Sequence, residues 1–260
     1  AKRPHSTQLD FESTMSSLLR IALFYIASAV LAFAATSDAT DPFQSGIEAY
    51  QNGQYKAAKT QFTAALETKE TAAARHNLGL AYFQLNAPAE AVWQLERAQL
   101  LAPFNADYRF KLGAVRQELG LFAGAPNWTI LASQALPTKS WIIIASISFW
   151  LLLAAYILPR LSGMKPGLWT KSLRVITIIA LILSLPAIWL NLRLLQSGTI
   201  ITDETVGLHA APASAAPESG SARPGERARI LDQYNNFYEL ETEGLATGWV
   251  SKEEFRPLAD

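Results

Sequence analysis

Residues suited to catalysis or metal binding are few and scattered in this chain of 260 residues. The three histidines, His5, His76 and His209, have no neighbours at the spacing of a metal site, and cysteine is absent. Adjacent carboxylates occur only at Asp203-Glu204 and Glu253-Glu254, where we expect solvated surface. The chain contains no glycine-rich phosphate loop, nucleophile elbow or HExxH motif. The sequence therefore predicts no active site, no metal, no cofactor and no small-molecule substrate.

Charge is unevenly distributed, although 22 basic and 22 acidic residues cancel over the whole chain. Residues 122–197 carry six basic residues and no acidic ones. Residues 198–260 carry five basic and eleven acidic residues, a net charge of −6. Neither region has the strongly basic surface that binds nucleic acid, so we expect no nucleic-acid partner.

Two long uncharged runs lie in the middle of the chain, at residues 141–158 and 175–190, and the second extends to 195 if Arg193 reaches the interface. A bilayer core of about 30 Å requires about 20 helical residues. Neither run has the polar stripe of a soluble core helix. We therefore predict transmembrane helices at 141–158 and 175–195, the second kinked by Pro186. The alternative is a pair of buried helices in a globular α-domain.

The loop between the two runs, residues 159–174, contains four cations and no acid. Lysine and arginine are retained on the cytoplasmic side of a membrane. This distribution predicts a cytoplasmic loop and places both long flanks outside the cytoplasm. The four cations are Arg160, Lys165, Lys171 and Arg174.

A second signal, which shares no residues with the loop, agrees with that orientation. Residues 15–34 begin at Met15, contain Arg20 and an apolar run, and end in the small-x-small pattern Ala32-Phe33-Ala34. This is the pattern of a secretory signal peptide, with an uncleaved anchor as the alternative. Residues 1–14 are interpreted as an upstream extension from a misassigned start.

Residues 41–121 repeat with a period of 33 or 34 residues. Gly46, Gly79 and Gly113 occupy equivalent positions in three copies, and a glycine or asparagine follows each of them by seven residues. Small residues at repeated positions are expected where paired helices touch, and a larger side chain there would overpack. The third copy keeps only its first helix. The other equivalent positions are Gly53, Asn86 and Gly120; Ala58 and Ala91; Phe62 and Leu95; and Ala65 and Ala98.

This period and these small residues resemble the tetratricopeptide repeat. The resemblance implies an α-helical solenoid whose first helices line a concave protein-binding groove. A carboxylate clamp is not expected, because Asn77 and Lys111 match its positions but Asp107 and two apolar residues do not. The apolar groove favours a peptide or helix as its ligand, or else some of its aromatic residues pack on 122–140. By register, the groove residues are Phe43, Ile47, Tyr50, His76, Asn77, Leu80, Phe83, Phe110, Ala114 and Gln117.

Residues 122–140 join the repeats to the first apolar run. Their apolar side chains predict a short helix that lies at the membrane interface. The residues expected to face the membrane are Trp128, Ile130, Leu131 and Leu136.

Residues 198–258 contain short β-rich runs separated by turn clusters, which predict a small all-β barrel. The sequence TGWV at 247–250, with Gly225 in a turn before a strand, resembles bacterial SH3 domains, although His209 and Phe237 depart from their pattern. Such domains attach proteins to cell-wall material or serve as adaptors. We expect a mobile loop at 210–222. Trp249 is interpreted as core rather than ligand platform, and the candidate contacts are Tyr234, Tyr238 and Trp249.

The order of these modules over residues 41–258 is similar to that of BatE-type proteins of bacterial Bat (aerotolerance) operons. Those proteins lie beside membrane proteins with von Willebrand A domains and a MoxR-type ATPase. The resemblance implies a multi-domain inner-membrane protein whose repeats and SH3-like barrel face the periplasm. Its implied role is a non-catalytic scaffold for envelope proteins. The alternative is a wall-anchoring protein that binds peptidoglycan through its SH3-like domain.

Overall fold

The computed structural model describes residues 41–121, 128–163 and 167–259. The predicted signal peptide at 15–34, the extension at 1–14 and the loop cation Lys165 lie outside the described residues. The described part contains eight helices and one antiparallel sheet of seven strands. The chain is therefore a mixed helical and β protein.

Five helices form the N-terminal part, which we call the helical array (residues 41–121). Three of them begin at a residue whose side chain accepts a hydrogen bond from a free backbone N–H: Asp41, Thr71 and Asn105. Consecutive helices pack against each other as antiparallel pairs joined by short turns. The helices are α1 (Pro42–Gln51), α2 (Tyr55–Thr68), α3 (Ala72–Gln84), α4 (Pro88–Leu101) and α5 (Ala106–Glu118).

The sequence repeat corresponds to a repeated turn. Gly53, Asn86 and Gly120 all adopt positive φ, at 72°, 61° and 68°. In each turn the N–H of the following residue donates to a carbonyl five residues earlier, as in the first copy from Gln54 to Ala49. This is the hydrogen-bond pattern that ends a helix with a left-handed residue. The predicted equivalence of the three positions is confirmed at the level of backbone geometry.

The repeated glycines provide close helix contacts in the first two copies. A Cβ atom built at Gly46 would lie 2.6 Å from ring carbons of Phe62, and one at Gly79 would lie 2.8 Å from Cγ of Leu95. Phe62 and Leu95 are themselves equivalent and fully buried. At Gly113 a Cβ atom would meet no described atom within 4 Å. The predicted packing role therefore applies to two of the three glycines.

The central part consists of a short helix, α6 (Trp128–Ser133), and two long helices, α7 (Thr138–Leu161) and α8 (Leu168–Leu195). Both long helices are long and apolar enough to cross a membrane. They pack together, and we call them the apolar hairpin. Each helix extends into the loop predicted at 159–174, and each contains a proline, Pro159 or Pro186.

The C-terminal part, which we call the β-region (residues 197–259), is the seven-stranded sheet. Its strand order is β3-β2-β6-β5-β4-β1-β7. Its buried core contains Ile200, Leu208, Leu240, Val250 and Phe255, with smaller residues between them. The strands are β1 (Ser197–Ile200), β2 (Val206–His209), β3 (Glu218–Ala222), β4 (Arg227–Tyr234), β5 (Phe237–Thr242), β6 (Thr247–Ser251) and β7 (Phe255–Pro257).

The β-region differs from the sequence prediction at one stretch. Residues 218–222, within the predicted mobile loop, form β3 and pair with β2. Gly207 permits this pairing, because a Cβ atom there would lie 2.4 Å from the carboxyl group of Glu218. One of the turns between the β-rich runs lies at Asn235, which has φ of 47° between strands β4 and β5. Only Gln196 separates α8 from β1, and its carbonyl accepts a hydrogen bond from Ile230 N–H.

Candidate functional site

The groove predicted from the repeats is open only along α5. Phe110 is 70% exposed, and Ala114 and Gln117 are exposed beside it. The described part of 122–140 therefore does not cover Phe110. The remaining apolar groove residues are half-buried against the two cores of the helical array: Phe43, Ile47, Tyr50, Leu80 and Phe83.

Two polar residues of the predicted groove, His76 and Asn77, make contacts inside the helical array, whereas Gln117 is exposed. The ring of His76 is buried and stacks on Tyr108, with centroids 4.3 Å apart, and its Nε2 lies 3.8 Å from a carboxylate oxygen of Asp107. Burial lowers the pKa of His76, and the Asp107 charge opposes this only in part. The side-chain amide of Asn77 donates to the carbonyl of Ala73. The Nδ1 atom of His76 has no hydrogen-bond partner among the described residues, but it is buried and therefore does not face a ligand carboxylate.

The three aromatic candidates of the β-region occupy different environments. Tyr234 is 57% exposed beside the β4–β5 turn. Tyr238 packs edge-on against Phe255, and the ammonium of Lys252 lies 5.1 Å from the centre of the Tyr238 ring. Trp249 is half-buried and alternates with the buried Val250, so it lies on the face opposite the core. The interpretation of Trp249 as a core residue was wrong, because Val250 fills that face.

A contact surface that the sequence patterns did not predict joins the helical array to the β-region. On α4, the indole N–H of Trp93 donates to the carbonyl of Pro257 at 3.0 Å. Both carboxylate oxygens of Glu90 accept from the guanidinium of Arg256, at 2.7 and 3.0 Å. That guanidinium also lies 4.8 Å from the centre of the Trp93 ring, a cation–π distance. Arg97, also on α4, donates to the carbonyl of Leu258. The last strand is thus bound along one face of α4.

Arg97 is oriented by a carboxylate from the connection between α2 and α3. Glu70 accepts from Arg97 Nε at 2.7 Å and from Arg97 Nη2 at 3.0 Å, and also from Arg75 Nε at 2.8 Å. These hydrogen bonds, the one from Arg97 first, lower the pKa of Glu70 against the opposing effect of burial. The carboxylate is therefore ionised near neutral pH and holds Arg97 toward the β-region.

Glu96 is the centre of the contact, and its side chain is completely buried. One of its oxygens accepts from Arg116 of α5 at 2.9 Å and from Arg227 of β4 at 2.9 and 3.0 Å. The other accepts from the hydroxyl of Thr199 at 2.5 Å. Glu96 raises the pKa of Arg227, as expected for a cation next to a buried anion. Arg116 also bonds to Glu243 of the β-region.

A turn of the β-region fits directly against the array. Gly225, singled out in the sequence, has φ of 72° between β3 and β4. A Cβ atom at this position would lie 2.9 Å from Leu119 and 3.2 Å from Val92. Glycine is therefore required here both by the backbone conformation and by the approach of the array.

The sequence does contain a signal for this surface. Glu90, Trp93 and Glu96 or Arg97 recur at three- and four-residue spacing, which places them on one face of α4. The repeat positions Ala91, Leu95 and Ala98 account for the face toward α3. A second polar and aromatic stripe on the same helix indicates a second partner.

Among residues 41–121, 128–163 and 167–259, no three histidine, aspartate or glutamate side chains are grouped to hold a metal ion. The ion pairs described above link two parts of one chain, and their arginines and carboxylates neutralise one another. Comparison with models of known protein families and with curated proteins finds no match. The function of the chain is therefore inferred from its own residues.

Proposed function

We propose that the protein is a non-catalytic, membrane-anchored scaffold that binds envelope proteins. In this proposal the helical array is a tetratricopeptide-type domain and the β-region is an SH3-like domain. The apolar hairpin anchors both to the periplasmic face of a bacterial inner membrane. The module order also supports membership of a BatE-type complex.

The observation that carries the proposal is the docking of the β-region onto α4 and α5 through the buried Glu96. A carboxylate shared by two arginines requires all three groups to stay in place, since an unpaired buried charge is costly. The two modules therefore act as one body rather than as two domains on a flexible tether. A partner that contacts both meets them at a fixed separation, which raises its effective local concentration.

The anchoring part of the proposal is supported by the length and apolar surface of α7 and α8. The cations Arg160 and Lys171 lie near the ends of the helices that face the loop, where the positive-inside tendency favours the cytoplasm. Because α8 leads into β1 after one residue, the β-region must lie close to the opposite membrane surface.

The partner surface in this proposal is the exposed apolar face of α5. Phe110 presents most of its ring to solvent, and aromatic residues of this kind are the usual anchors of protein interfaces. An apolar segment of a membrane protein with a von Willebrand A domain is the occupant implied by the BatE-like module order.

The proposal is tested by crosslinking the envelope of cells that express the tagged full-length protein at native level, followed by pull-down. We expect recovery of von Willebrand A-type membrane proteins and a reduced recovery with Phe110→Ser. Leu245→Asn is the matched control, since it removes a similarly exposed apolar side chain from the β-region. Recovery of no such protein with the wild-type chain would count against the scaffold.

The wall-anchoring alternative has one observation in its favour. Tyr234 and Leu231 are both exposed on β4, at 57% and 43%. If this patch binds peptidoglycan, the full-length protein should co-sediment with purified sacculi and Tyr234→Ala should weaken that binding. Binding to sacculi without recovery of protein partners would favour the alternative over the scaffold.

A further inference from the structure

A cavity of about 320 Å³ lies where the end of α8 meets α6 and the β-region. Ile130, Leu190 and Leu194 form its apolar side. Strands β4 and β5 form its polar side. In the proposed membrane placement, the cavity lies at the level of the lipid headgroups on the periplasmic surface, because α8 ends beside it.

Arg193 is the cation of this cavity that has no carboxylate partner among the described residues. Its guanidinium lies over the ring of Trp189, 3.9 Å from the ring centre, a cation–π contact. This contact uses the face of the guanidinium, so the N–H groups in its plane can donate to another acceptor. The other two lining arginines are neutralised, Arg227 by Glu96 and Arg229 by Glu241. The positive charge of Arg193 is therefore available to an anion.

The sheet side of the cavity offers oxygen acceptors. Glu241 uses only its Oε2 atom to bind Arg229, and Glu243 uses only its Oε2 atom to bind Arg116. Within the described ranges, the Oε1 atom of each glutamate receives no hydrogen bond. A ligand in the cavity thus meets an available cation on α8 and available carboxylate oxygens on β5 and just beyond it.

The geometry points to a binding site for the headgroup of an amine-bearing phospholipid. The phosphate contacts Arg193, the ammonium donates to Glu241 or Glu243, and an acyl chain follows Leu190 toward the bilayer. The apolar wall and the position at the end of α8 favour a lipid over a free phosphate. This inference rests on the proposed membrane anchoring and adds a function to it, since a bound lipid would help hold the β-region against the membrane.

Native mass spectrometry of the full-length protein, released from mixed micelles of defined lipid, tests the site. We expect phosphatidylethanolamine to remain bound in preference to phosphatidylglycerol, which has no amine, and to phosphatidylcholine, whose ammonium has no N–H. Arg193→Gln should reduce the bound fraction about tenfold, as expected for the loss of a charge-assisted contact. Arg193→Lys should retain part of it. Arg160→Gln is the control, because it removes an exposed cation at the other end of the hairpin.

Three results would overturn the site: equal retention of the three lipids, equal retention by Arg193→Gln and the wild type, or displacement of the lipid by millimolar inorganic phosphate. The last would identify a free-anion site. The membrane fraction is assayed first. A wild-type chain that is found outside it refutes the anchoring and this site together. If the wild-type chain is found in the membrane fraction but Arg193→Gln retains as much lipid as the wild type, only the lipid site is refuted.

Discussion

Glu96 is a residue whose role depends on three partners from distant parts of the chain. Its carboxylate is fully buried and is satisfied by Arg116, Arg227 and Thr199. A buried carboxylate with this set of charge-assisted hydrogen bonds is stable only while all the donors are present. The residue therefore links the integrity of the helical array to the attachment of the β-region.

Glu96→Gln is expected to lower the free energy of unfolding by about 3 kcal/mol, because the buried Arg116 and the partly exposed Arg227 lose the carboxylate that they share, although Arg116 keeps Glu243. The measurement is denaturant unfolding of the full-length protein in detergent, followed by the fluorescence of tryptophans, which include Trp93 in the same interface. Glu67→Gln, at an exposed position on α2, should change stability by less than about 0.5 kcal/mol. Equal effects of the two substitutions would contradict the role of Glu96.

His76 predicts a pH dependence of stability. Burial lowers its pKa below the ordinary value of 6.5, so the unfolded chain binds a proton that the folded chain does not. Its contribution to stability is complete above pH 6.5 and is lost as the pH falls from there toward the lower folded pKa. The thermal unfolding temperature should therefore decrease on acidification through this range.

His76→Phe keeps an aromatic ring next to Tyr108 but removes the titration. We expect the decrease in unfolding temperature below pH 6.5 to be smaller in this variant than in the wild type. His209→Gln, in the β-region, serves as the control for loss of a histidine elsewhere. If the unfolding temperature of His76→Phe decreases with pH as steeply as that of the wild type, other groups cause the pH dependence.

At the scale of single elements, the paired helices are defined by small residues and by their turns. A methyl group added at Gly79 would lie 2.8 Å from Cγ of Leu95, whereas Gly113 has open space around it. The two glycines are equivalent in sequence but only one has a helix packed across it among the described residues. The chain therefore provides its own control for the packing explanation.

Gly79→Ala is expected to destabilise the protein by about 1–3 kcal/mol, because the added methyl group overlaps Leu95 and the carbonyl of Ala91. Gly113→Ala should be neutral or stabilise by up to about 1 kcal/mol, since alanine favours a helix and meets no neighbour. Denaturant midpoints of the two full-length variants provide the comparison. Destabilisation by both substitutions to the same extent would refute the packing explanation.

In the apolar hairpin, an arginine supplies a hydrogen bond that a proline cannot make. Pro159 has no N–H, so it cannot donate to the carbonyl of Ala155 one turn earlier. The guanidinium of Arg174, on α8, donates to that carbonyl instead, at 2.8 and 3.2 Å, and lies over the ring of Tyr156. One of the four loop cations predicted from the sequence therefore also ties the two helices together.

The replacement of this hydrogen bond predicts that the effects of Arg174→Gln and Pro159→Ala on stability are not additive. Arg174→Gln should destabilise the hairpin by about 1 kcal/mol in the wild type, the usual value of one interhelical hydrogen bond. In a Pro159→Ala background the cost should be smaller, because the helix regains its own N–H at this position. Unfolding in mixed micelles of the two single variants and the double variant measures the coupling. Strict additivity would mean that the Arg174 contact does not substitute for the missing bond.

For the whole molecule, the β-region is attached twice: covalently through α8 and noncovalently through α4 and α5. Trp93, Glu96 and Gly225 lie in the same contact, although they come from the helical array and the β-region. This arrangement places the array beside the proposed membrane surface as well. The proposed topology then requires the array and the β-region to be accessible from one side of the membrane only.

The absence of cysteine from the sequence makes that topology directly testable. Single cysteines at Phe104, Leu245 and Leu161 replace side chains that are 57%, 78% and 79% exposed. A membrane-impermeant maleimide added to spheroplasts should label Phe104→Cys and Leu245→Cys, and should label Leu161→Cys only after lysis. The opposite pattern would place the helical array and the β-region in the cytoplasm.

The sequence alone determined the features that depend on short-range spacing. The period of 33 or 34 residues predicted which positions are equivalent, and the structure has a left-handed turn at three of them; the uncharged runs predicted the two long helices. Helix and turn geometry repeats every few residues, so these patterns are visible in a single chain. Of the predicted groove, only the α5 residues are exposed, because exposure depends on which helices pack over each position.

Only the tertiary structure decided the docking of the β-region on α4. The partners of Glu96 lie 20, 103 and 131 residues away from it in the sequence. No periodicity relates residues at such separations, so the stripe on α4 indicates a second partner without identifying it, and a glutamate on a helix is ordinarily a solvated residue. The folded chain brings the three donors together, and it also creates the cavity at Arg193, since α6, α8 and the sheet border it jointly. Contacts between distant segments depend on their arrangement in space, which local patterns do not encode.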